Sequence, residues 1–140
     1  MTRSAHVEWL ASIASFVRWR FDPDSSHPVP EEWRKPFEDM VQCFVDGDYR
    51  VSRLGNRVEP LGPETSKQIS EYIGDYGETL VPLPPEVWDV AVAMWEGNDT
   101  LEVLVDLWTE AEGSSDLVLH AFVEQKADQP SIRIHLVYVP

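Results

Sequence analysis

Hydrophobic and polar residues alternate with a period of two along the last 55 residues of the chain. The alternation covers four runs, at 86–95, 101–109, 116–124 and 131–139, and it is typical of β-strands that bury one face. The segments between the runs are short and rich in turn-forming residues. Parallel strands need crossover connections of a dozen or more residues, so these short connections predict antiparallel pairing. The pattern therefore predicts a four-stranded antiparallel meander.

The first half of the chain shows the helical period instead. Hydrophobic residues recur every three or four positions at 5–20, 36–46 and 63–76, which predicts three amphipathic helices. Pro36 stands at the start of the second run, where a helix tolerates proline. Gly77 follows the third run, as glycine commonly does at the C-terminal end of a helix.

Helices followed by an antiparallel meander define an α+β fold. We predict three N-terminal helices packed on a four-stranded antiparallel C-terminal meander sheet. Residues 48–61 carry weaker signals, which indicate short extended segments. At this length a single domain over 1–140 is the natural count, with its helical part over residues 1–80 and its sheet part over 86–140.

Alternation divides the predicted sheet into two faces. The face predicted to be the core carries only hydrophobic residues: Trp88, Val90, Val92, Met94, Leu101, Val103, Val105, Leu107, Leu117, Leu119, Ala121, Val123, Ile132, Ile134 and Leu136. The other face is mixed and carries Asp89, Ala91, Ala93, Trp95, Glu102, Leu104, Asp106, Trp108, Val118, His120, Phe122, Arg133, His135, Val137 and Val139. Exposed hydrophobic patches mark partner or ligand surfaces, so the mixed face is a candidate interaction surface. The alternative is that a helix or the N-terminal segment partly covers it.

Eleven basic and twenty-five acidic residues give the 140-residue chain a formal net charge of -14 at pH 7. Residues 1–60 contribute -2 and residues 61–140 contribute -12. Nucleic-acid binding depends on clustered Lys and Arg, so we expect no nucleic-acid partner. An acidic face instead steers a basic protein into contact. The alternative is that the surplus carboxylates only keep a small protein soluble.

The chain shows no sign of export, membrane insertion or disulfide bonding. Charged residues interrupt the N-terminal hydrophobic run, and no run of about 18 hydrophobic residues occurs. Cys43 is the only cysteine, which excludes an internal disulfide and a cysteine-rich zinc site. We expect such a chain in the reducing cytoplasm, as a monomer or a homodimer without a membrane partner.

Three titratable residues offer the best candidate for catalysis. Asp106, His120 and His135 fall on the same face of three successive predicted strands, and two imidazoles with a carboxylate suit zinc or non-haem iron. No recognised ligand spacing such as His-Glu-x-x-His occurs, and Cys43 lies in a hydrophobic helical pattern typical of inert thiols. We therefore predict no catalytic residue, no metal ligand and no cofactor. The alternatives are a metal-dependent hydrolase that uses these three residues, and a small-ligand sensor with an aromatic-lined pocket.

A short motif in the sheet region resembles a known family. Residues 105–109 read Val-Asp-Leu-Trp-Thr, and residues 112–117 read Glu-Gly-Ser-Ser-Asp-Leu. The motif resembles the signature of an uncharacterised bacterial domain family, in which arginine stands at the position of Ser114, and the resemblance covers residues 41–140. It implies membership of that family and no particular activity.

The resemblance supplies its own candidate residues, which are Asp106, Trp108, Thr109, Glu112, Gly113, Ser115 and Asp116. The alternative is that these residues only build a tight hairpin, in which hydroxyl and carboxylate oxygens accept hydrogen bonds from turn N–H groups.

Together these observations favour a non-enzymatic protein-binding module over an enzyme. We predict that it binds another protein, with a basic protein as the favoured partner. The predicted surface comprises Trp95, Asp106, Trp108, His120, Phe122 and His135. Small size, acidity and aromatic content suggest one concrete form of this role, an immunity protein or antitoxin that neutralises a toxin.

Overall fold

The computed structural model of the chain describes residues 26–97, 99–126 and 129–140. The strands in these ranges are β1 (Ser26–Pro28), β2 (Leu80–Val81), β3 (Val92–Gly97), β4 (Thr100–Thr109), β5 (Gly113–Lys126) and β6 (Gln129–Tyr138). The α-helices are α1 (Glu31–Val45) and α2 (Pro63–Tyr76), and 3₁₀ helices span Ser52–Arg57 and Pro85–Asp89. The helix predicted at 5–20 lies outside the described residues.

The six strands form one antiparallel sheet. Its hydrogen-bonded order is β1-β3-β4-β5-β6, and β2 pairs with the end of β4 that β3 leaves free. From β3 to β6 each strand pairs with the next one along the chain, as the short connections predict. β1 therefore forms one edge of the sheet and β6 the other.

The predicted architecture of three helices on a four-stranded sheet is wrong for the described residues, which hold two α-helices and six strands. The additional strands, β1 and β2, lie in connecting segments where neither a helix nor a strand is predicted. β1 has three residues and β2 has two, and strands this short show no readable alternation. They are held by backbone pairing, β1 to β3 and β2 to β4.

The bounds predicted from the sequence are correct for α2 but not for the start of α1. α2 confirms the helix predicted at 63–76, and Gly77 after its end adopts the left-handed conformation, with φ 84°. α1 begins at Glu31 and includes Pro36, which is predicted to start the helix. Acidic residues in the first turn stabilise this earlier start through the helix dipole. Within the described ranges, no helix is both long and apolar enough to cross a membrane.

The free edge of β6 is covered by the chain that leads into α2. The Glu59 N–H donates to the Ile132 carbonyl at 2.9 Å, and Nε2 of Gln68 on α2 donates to the Val137 carbonyl at 2.9 Å. Residues 48–61, predicted as short extended segments, instead form a 3₁₀ helix at their centre before they reach this edge. Because unpaired edge groups template strand pairing, these bonds block the edge and fix α2 beside β6.

One cluster of buried residues joins the sheet to both α-helices. On β4 and β5 the predicted alternation is confirmed, because every second residue from Leu101 to Leu107 and from Leu117 to Val123 is at most 1% exposed. Phe37 of α1 is fully buried against them. Each buried Val, Leu or Ile contributes about 1.5–3 kcal/mol relative to exposure, so this cluster decides which face of the sheet points inward.

β3 faces the opposite way from its prediction. The residues before it form the 3₁₀ helix Pro85–Asp89, so the alternation does not run through from 86. Ala93 lies opposite Val103 and is fully buried, and Trp95 lies opposite Leu101 and packs against the core cluster. The prediction that Trp95 belongs to the mixed face is therefore wrong.

β6 changes face at a β-bulge. Its register with β5 leaves His135 as an extra residue between Ile134 and Leu136, and the sides of the strand are reversed beyond such an insertion. Val137, predicted to face outward, is fully buried, and Leu136, predicted to lie in the core, is half-buried on the other side.

Candidate functional site

The side of the sheet that faces away from the core cluster carries the candidate surface, which we call the outer face. It comprises Val92 and Met94 on β3, Glu102, Leu104, Asp106 and Trp108 on β4, Val118, His120 and Phe122 on β5, and Arg133, His135, Leu136 and Tyr138 on β6. All are half-buried except Arg133 and His135, which are exposed. Five of the six residues predicted for the interaction surface lie here, and Trp95 does not.

Four aromatic rings of β5 and β6 form a cluster on this face. The His120 ring lies 5.0 Å from the His135 ring, 5.2 Å from Phe122 and 6.2 Å from Tyr138, measured between centroids. The guanidinium carbon of Arg133 lies 4.8 Å from the centroid of Phe122, within range of a cation–π interaction. We call these four rings the aromatic cluster. It already holds one guanidinium group of the chain itself.

His120 sits at the centre of the cluster in a mostly buried position. Burial lowers the pKa of its imidazole, the negative charge of Glu102 opposes this shift, and the neighbouring His135 reinforces it. Nε2 of His120 lies 2.9 Å from Oε1 of Glu102, but the contact lacks hydrogen-bond geometry and Nε2 stays unpaired within the described residues. The lowered pKa therefore favours a neutral imidazole at neutral pH.

Asp106 does not join the two histidines. Burial raises the pKa of its carboxyl group, and the nearby negative charge of Asp116 raises it further. Among the residues that the structure describes, no group of three His, Cys, Asp or Glu side chains is placed to hold a metal ion. The two imidazoles meet as predicted from their shared face, but they form no metal-binding set with Asp106.

Trp108 covers the turn between β4 and β5. A Cβ atom built on Gly113 would lie 3.5 Å from Cζ3 of Trp108, and Gly113 has a φ of +76°. A larger residue at 113 would be strained by that backbone angle, although a Cβ atom would only touch the indole ring at an ordinary van der Waals distance. The Trp108 Nε1 is buried without a hydrogen-bond partner in the described part of the chain.

The polar residues of the motif hold this turn together. The Glu112 N–H donates to Oγ1 of Thr109 at 3.2 Å, and that hydroxyl donates to Oε1 of Glu112 at 3.1 Å. Tyr76, at the end of α2, donates its hydroxyl proton to Oε2 of Glu112 at 2.9 Å and accepts from the Asp116 N–H at 3.1 Å. The motif therefore ties α2 to the β4–β5 hairpin.

Ser115 bridges an irregularity in the pairing of β4 and β5. Residues 115–117 of β5 lie opposite the single residue Leu107 of β4. The Ser115 hydroxyl donates to the Leu107 carbonyl at 2.7 Å and accepts from the Leu117 N–H at 3.1 Å. With 2% exposure for Thr109 and 7% for Ser115, both hydroxyls of the motif are engaged inside the protein.

A cleft opens where α2 lies beside the aromatic cluster. Its volume is about 630 Å³. Glu64, Gln68 and Tyr72 line it from the helix, and His120, His135 and Tyr138 line it from the sheet. The helix residues are spaced four apart, which places them on one side of α2. The cleft is therefore continuous with the outer face.

A model of a protein family described as a domain of unknown function (DUF7668) matches residues 41–140. The chain belongs to this family. The match confirms that the chain is a member of an uncharacterised domain family. No curated protein and no solved structure matches the chain. In structural terms, the DUF7668 region begins within α1 and includes α2 and strands β2 to β6.

Sequence reasoning placed Glu102 on the mixed face but missed its contact with His120, for which the shared face was the available signal. It also missed the roles of Tyr72, Tyr76 and Gln68. The helical spacing of residues 63–76 puts Tyr72 and Tyr76 on the hydrophobic side predicted to be buried, but Tyr72 is 48% exposed and Tyr76 bonds to the turn. Nothing in the sequence indicated Gln68, because its contact with β6 depends on the position of α2 at the sheet edge.

Proposed function

We propose that this DUF7668 protein is a non-enzymatic protein-binding module and that its outer face binds a basic protein. One observation carries the proposal: hydrophobic and aromatic side chains lie among carboxylates on the sheet face opposite the core cluster. The hydrophobic faces of α1 and α2 are buried in that cluster. Neither described helix therefore uses its hydrophobic face to cover the outer face.

The composition of the outer face suits a protein interface. Four half-buried hydrophobic residues on three strands surround His120: Leu104 and Leu136 lie opposite it, and Val118 and Phe122 lie two residues before and after it on β5. Protein interfaces combine such a hydrophobic centre with a polar rim and are enriched in aromatic residues. Further burial by a partner would remove water from these side chains, which favours association.

Charge favours a basic partner. Glu102 and Asp106 lie on the face itself, and Asp116 is close enough to raise the pKa of Asp106. Residues 61–140 hold three Lys and Arg against fifteen Asp and Glu. A surface of one sign attracts a partner of the other sign and speeds association at low salt.

The motif residues support binding rather than nucleophilic catalysis. The hydroxyls of Thr109 and Ser115 are buried and hydrogen-bonded within the hairpin, so neither is presented to a substrate. A toxin-neutralising role is the concrete form of the proposal, in which the basic partner is the toxin.

Capture of partners by the tagged full-length protein tests the proposal. Lysate of the source cell is applied at low and moderate salt, and bound proteins are identified by mass spectrometry. The wild type is compared with Phe122→Ala, which removes a ring from the outer face. Val90→Ala is the matched control, because Val90 is 62% exposed and lies outside that face.

We expect the wild type and Val90→Ala to capture a basic protein in stoichiometric amounts, and to lose it as the salt concentration rises. Phe122→Ala should lose it at low salt while its circular dichroism stays that of the wild type. Equal capture by Phe122→Ala, or no stoichiometric basic partner at either salt concentration, would contradict the proposal.

A further inference from the structure

The cleft between α2 and the aromatic cluster has an unpaired polar atom in its lining. Within the described residues, Oε1 of Gln68 is buried without a hydrogen-bond partner. Nε2 of Gln68 donates to the Val137 carbonyl, which orients the amide. Nε2 of His120, by contrast, faces a carboxylate of the chain itself, Oε1 of Glu102, at 2.9 Å. Buried polar groups are nearly always paired, so the Gln68 oxygen marks a place in the lining where a ligand can donate a hydrogen bond.

The unpaired oxygen calls for a donor. Oε1 of Gln68 is an amide oxygen and can only accept a hydrogen bond. Glu64, on the first turn of α2, adds an exposed carboxylate to the same cleft. A ligand for this set therefore carries several N–H groups.

The carboxylates around the cleft favour a cationic ligand over an anionic one. Glu64 contributes a negative charge to the lining, and Glu102 contacts His120 from the side of β4. An anion would approach against these carboxylates and against the net charge of -12 carried by residues 61–140. A cation would meet no opposing charge from the neutral His120.

The rings of the cleft favour a planar cation. Tyr72 is 48% exposed, and Tyr138 and the exposed His135 stand across the cleft from it. Beside them, the guanidinium group of Arg133 already lies over Phe122 at 4.8 Å. A guanidinium group carries five N–H donors in a plane and stacks on aromatic faces, whereas an ammonium group is compact and strongly hydrated.

We infer that this cleft binds the guanidinium group of an arginine side chain presented by the basic partner. The inference rests on the proposed function and names the anchor of the interaction. The guanidinium group stacks between Tyr72 and the rings of the sheet and donates hydrogen bonds to Glu64 and Gln68. Arginine is among the residues that most often dominate the affinity of an interface.

Titration of the full-length protein with Nα-acetyl-arginine methylamide, followed by proton NMR of the histidine rings, tests the inference. His120 and His135 line the cleft, whereas His27 lies on β1 at the opposite edge of the sheet and serves as an internal control. We expect saturable shifts of the first two resonances in the millimolar range that suits so small a probe. The lysine analogue should bind more weakly, and the neutral citrulline analogue should not bind.

Two variants distinguish binding of the arginine probe in this cleft from non-specific attraction of a cation to an acidic protein. Tyr72→Ala and Glu64→Gln change exposed positions of α2, and each should weaken binding of the arginine probe about two- to fivefold. Glu71→Gln is the matched control, since Glu71 is exposed on the same helix but outside the cleft lining. It should bind the probe as the wild type does.

Equal shifts with the citrulline analogue, or unchanged binding in both Tyr72→Ala and Glu64→Gln, would overturn the inference. Capture of a basic partner by those two variants at wild-type levels would overturn it as well, while the proposed function would stand. Specific binding of the arginine probe without a captured basic partner would support the cleft and count against the proposed function.

Discussion

Replacement of Ser115 by alanine tests how the irregular pairing of β4 and β5 is held. The Ser115 hydroxyl bonds to the Leu107 carbonyl at 2.7 Å and to the Leu117 N–H at 3.1 Å, and the residue is 7% exposed. A buried group that loses its partner costs about 1–3 kcal/mol. Two such groups would cost about 2–6 kcal/mol, and losses above about 4 kcal/mol are exceptional for one substitution, so we expect the free energy of unfolding to fall by about 2–4 kcal/mol.

The expected change in melting temperature follows from the size of the protein. An unfolding entropy of about 2.1 cal/mol/K per residue gives about 0.29 kcal/mol/K for 140 residues. The Tm of Ser115→Ala should therefore be about 7–14 °C below that of the wild type. Urea unfolding followed by tryptophan fluorescence gives the free energy, and a thermal scan by circular dichroism gives the Tm.

Ser114→Ala is the matched control, because Ser114 is the neighbouring residue and is exposed. A surface change of this kind usually stays within about 0.5 kcal/mol of the wild type. If Ser115→Ala were no less stable than Ser114→Ala, the bridging role of the hydroxyl would be refuted. Packing of the hydrophobic residues on either side would then be what holds the irregular register.

Two further predictions concern stability. Tyr76→Phe removes the hydroxyl that joins α2 to the turn, so it should lower the Tm by a few degrees in thermal scans, whereas the control Tyr72→Phe should leave the Tm unchanged. The effects of Tyr76→Phe and Glu112→Gln on stability should be non-additive, because the two residues share a hydrogen bond. Additive effects would count against that contact. Burial lowers the pKa of His120 from its ordinary value of 6.5. As the pH falls, the unfolded chain therefore binds a proton at this residue before the folded protein does. Stability should therefore fall as the pH drops below 6.5 until it passes the folded pKa. Urea unfolding across this range should show a weaker pH dependence for His120→Gln, and an unchanged dependence would contradict the assignment.

The elements that could be predicted from sequence are those whose own residues decide their structure. α2 has a helical stripe and the terminal Gly77, and it spans the predicted residues. β4 and β5 are long enough for alternation to identify their buried sides, from Leu101 to Val123. In both cases many residues carry the same signal, so the side that lies in the core is determined locally.

The errors arose where a few residues interact with a distant segment. β1 and β2 form only because β3 and β4 offer them backbone partners. Trp95 points to the core side of the sheet because the 3₁₀ helix before β3 interrupts the alternation. In the candidate site, His120 and Phe122 could be placed from their own strand, whereas the contribution of Gln68 depends on where α2 packs.

The bulge at His135 links one error of the sheet prediction to the aromatic cluster. An unbroken β6 would bury Leu136 and present Val137 outward, which is what strict alternation predicts. The extra residue instead buries Val137 and brings Leu136 and Tyr138 to the side of His120. Without it, Tyr138 would point away from the outer face and the cleft beside α2 would lose one wall. Since bulges often re-aim side chains at functional sites, this irregularity favours a binding role for the face that it completes.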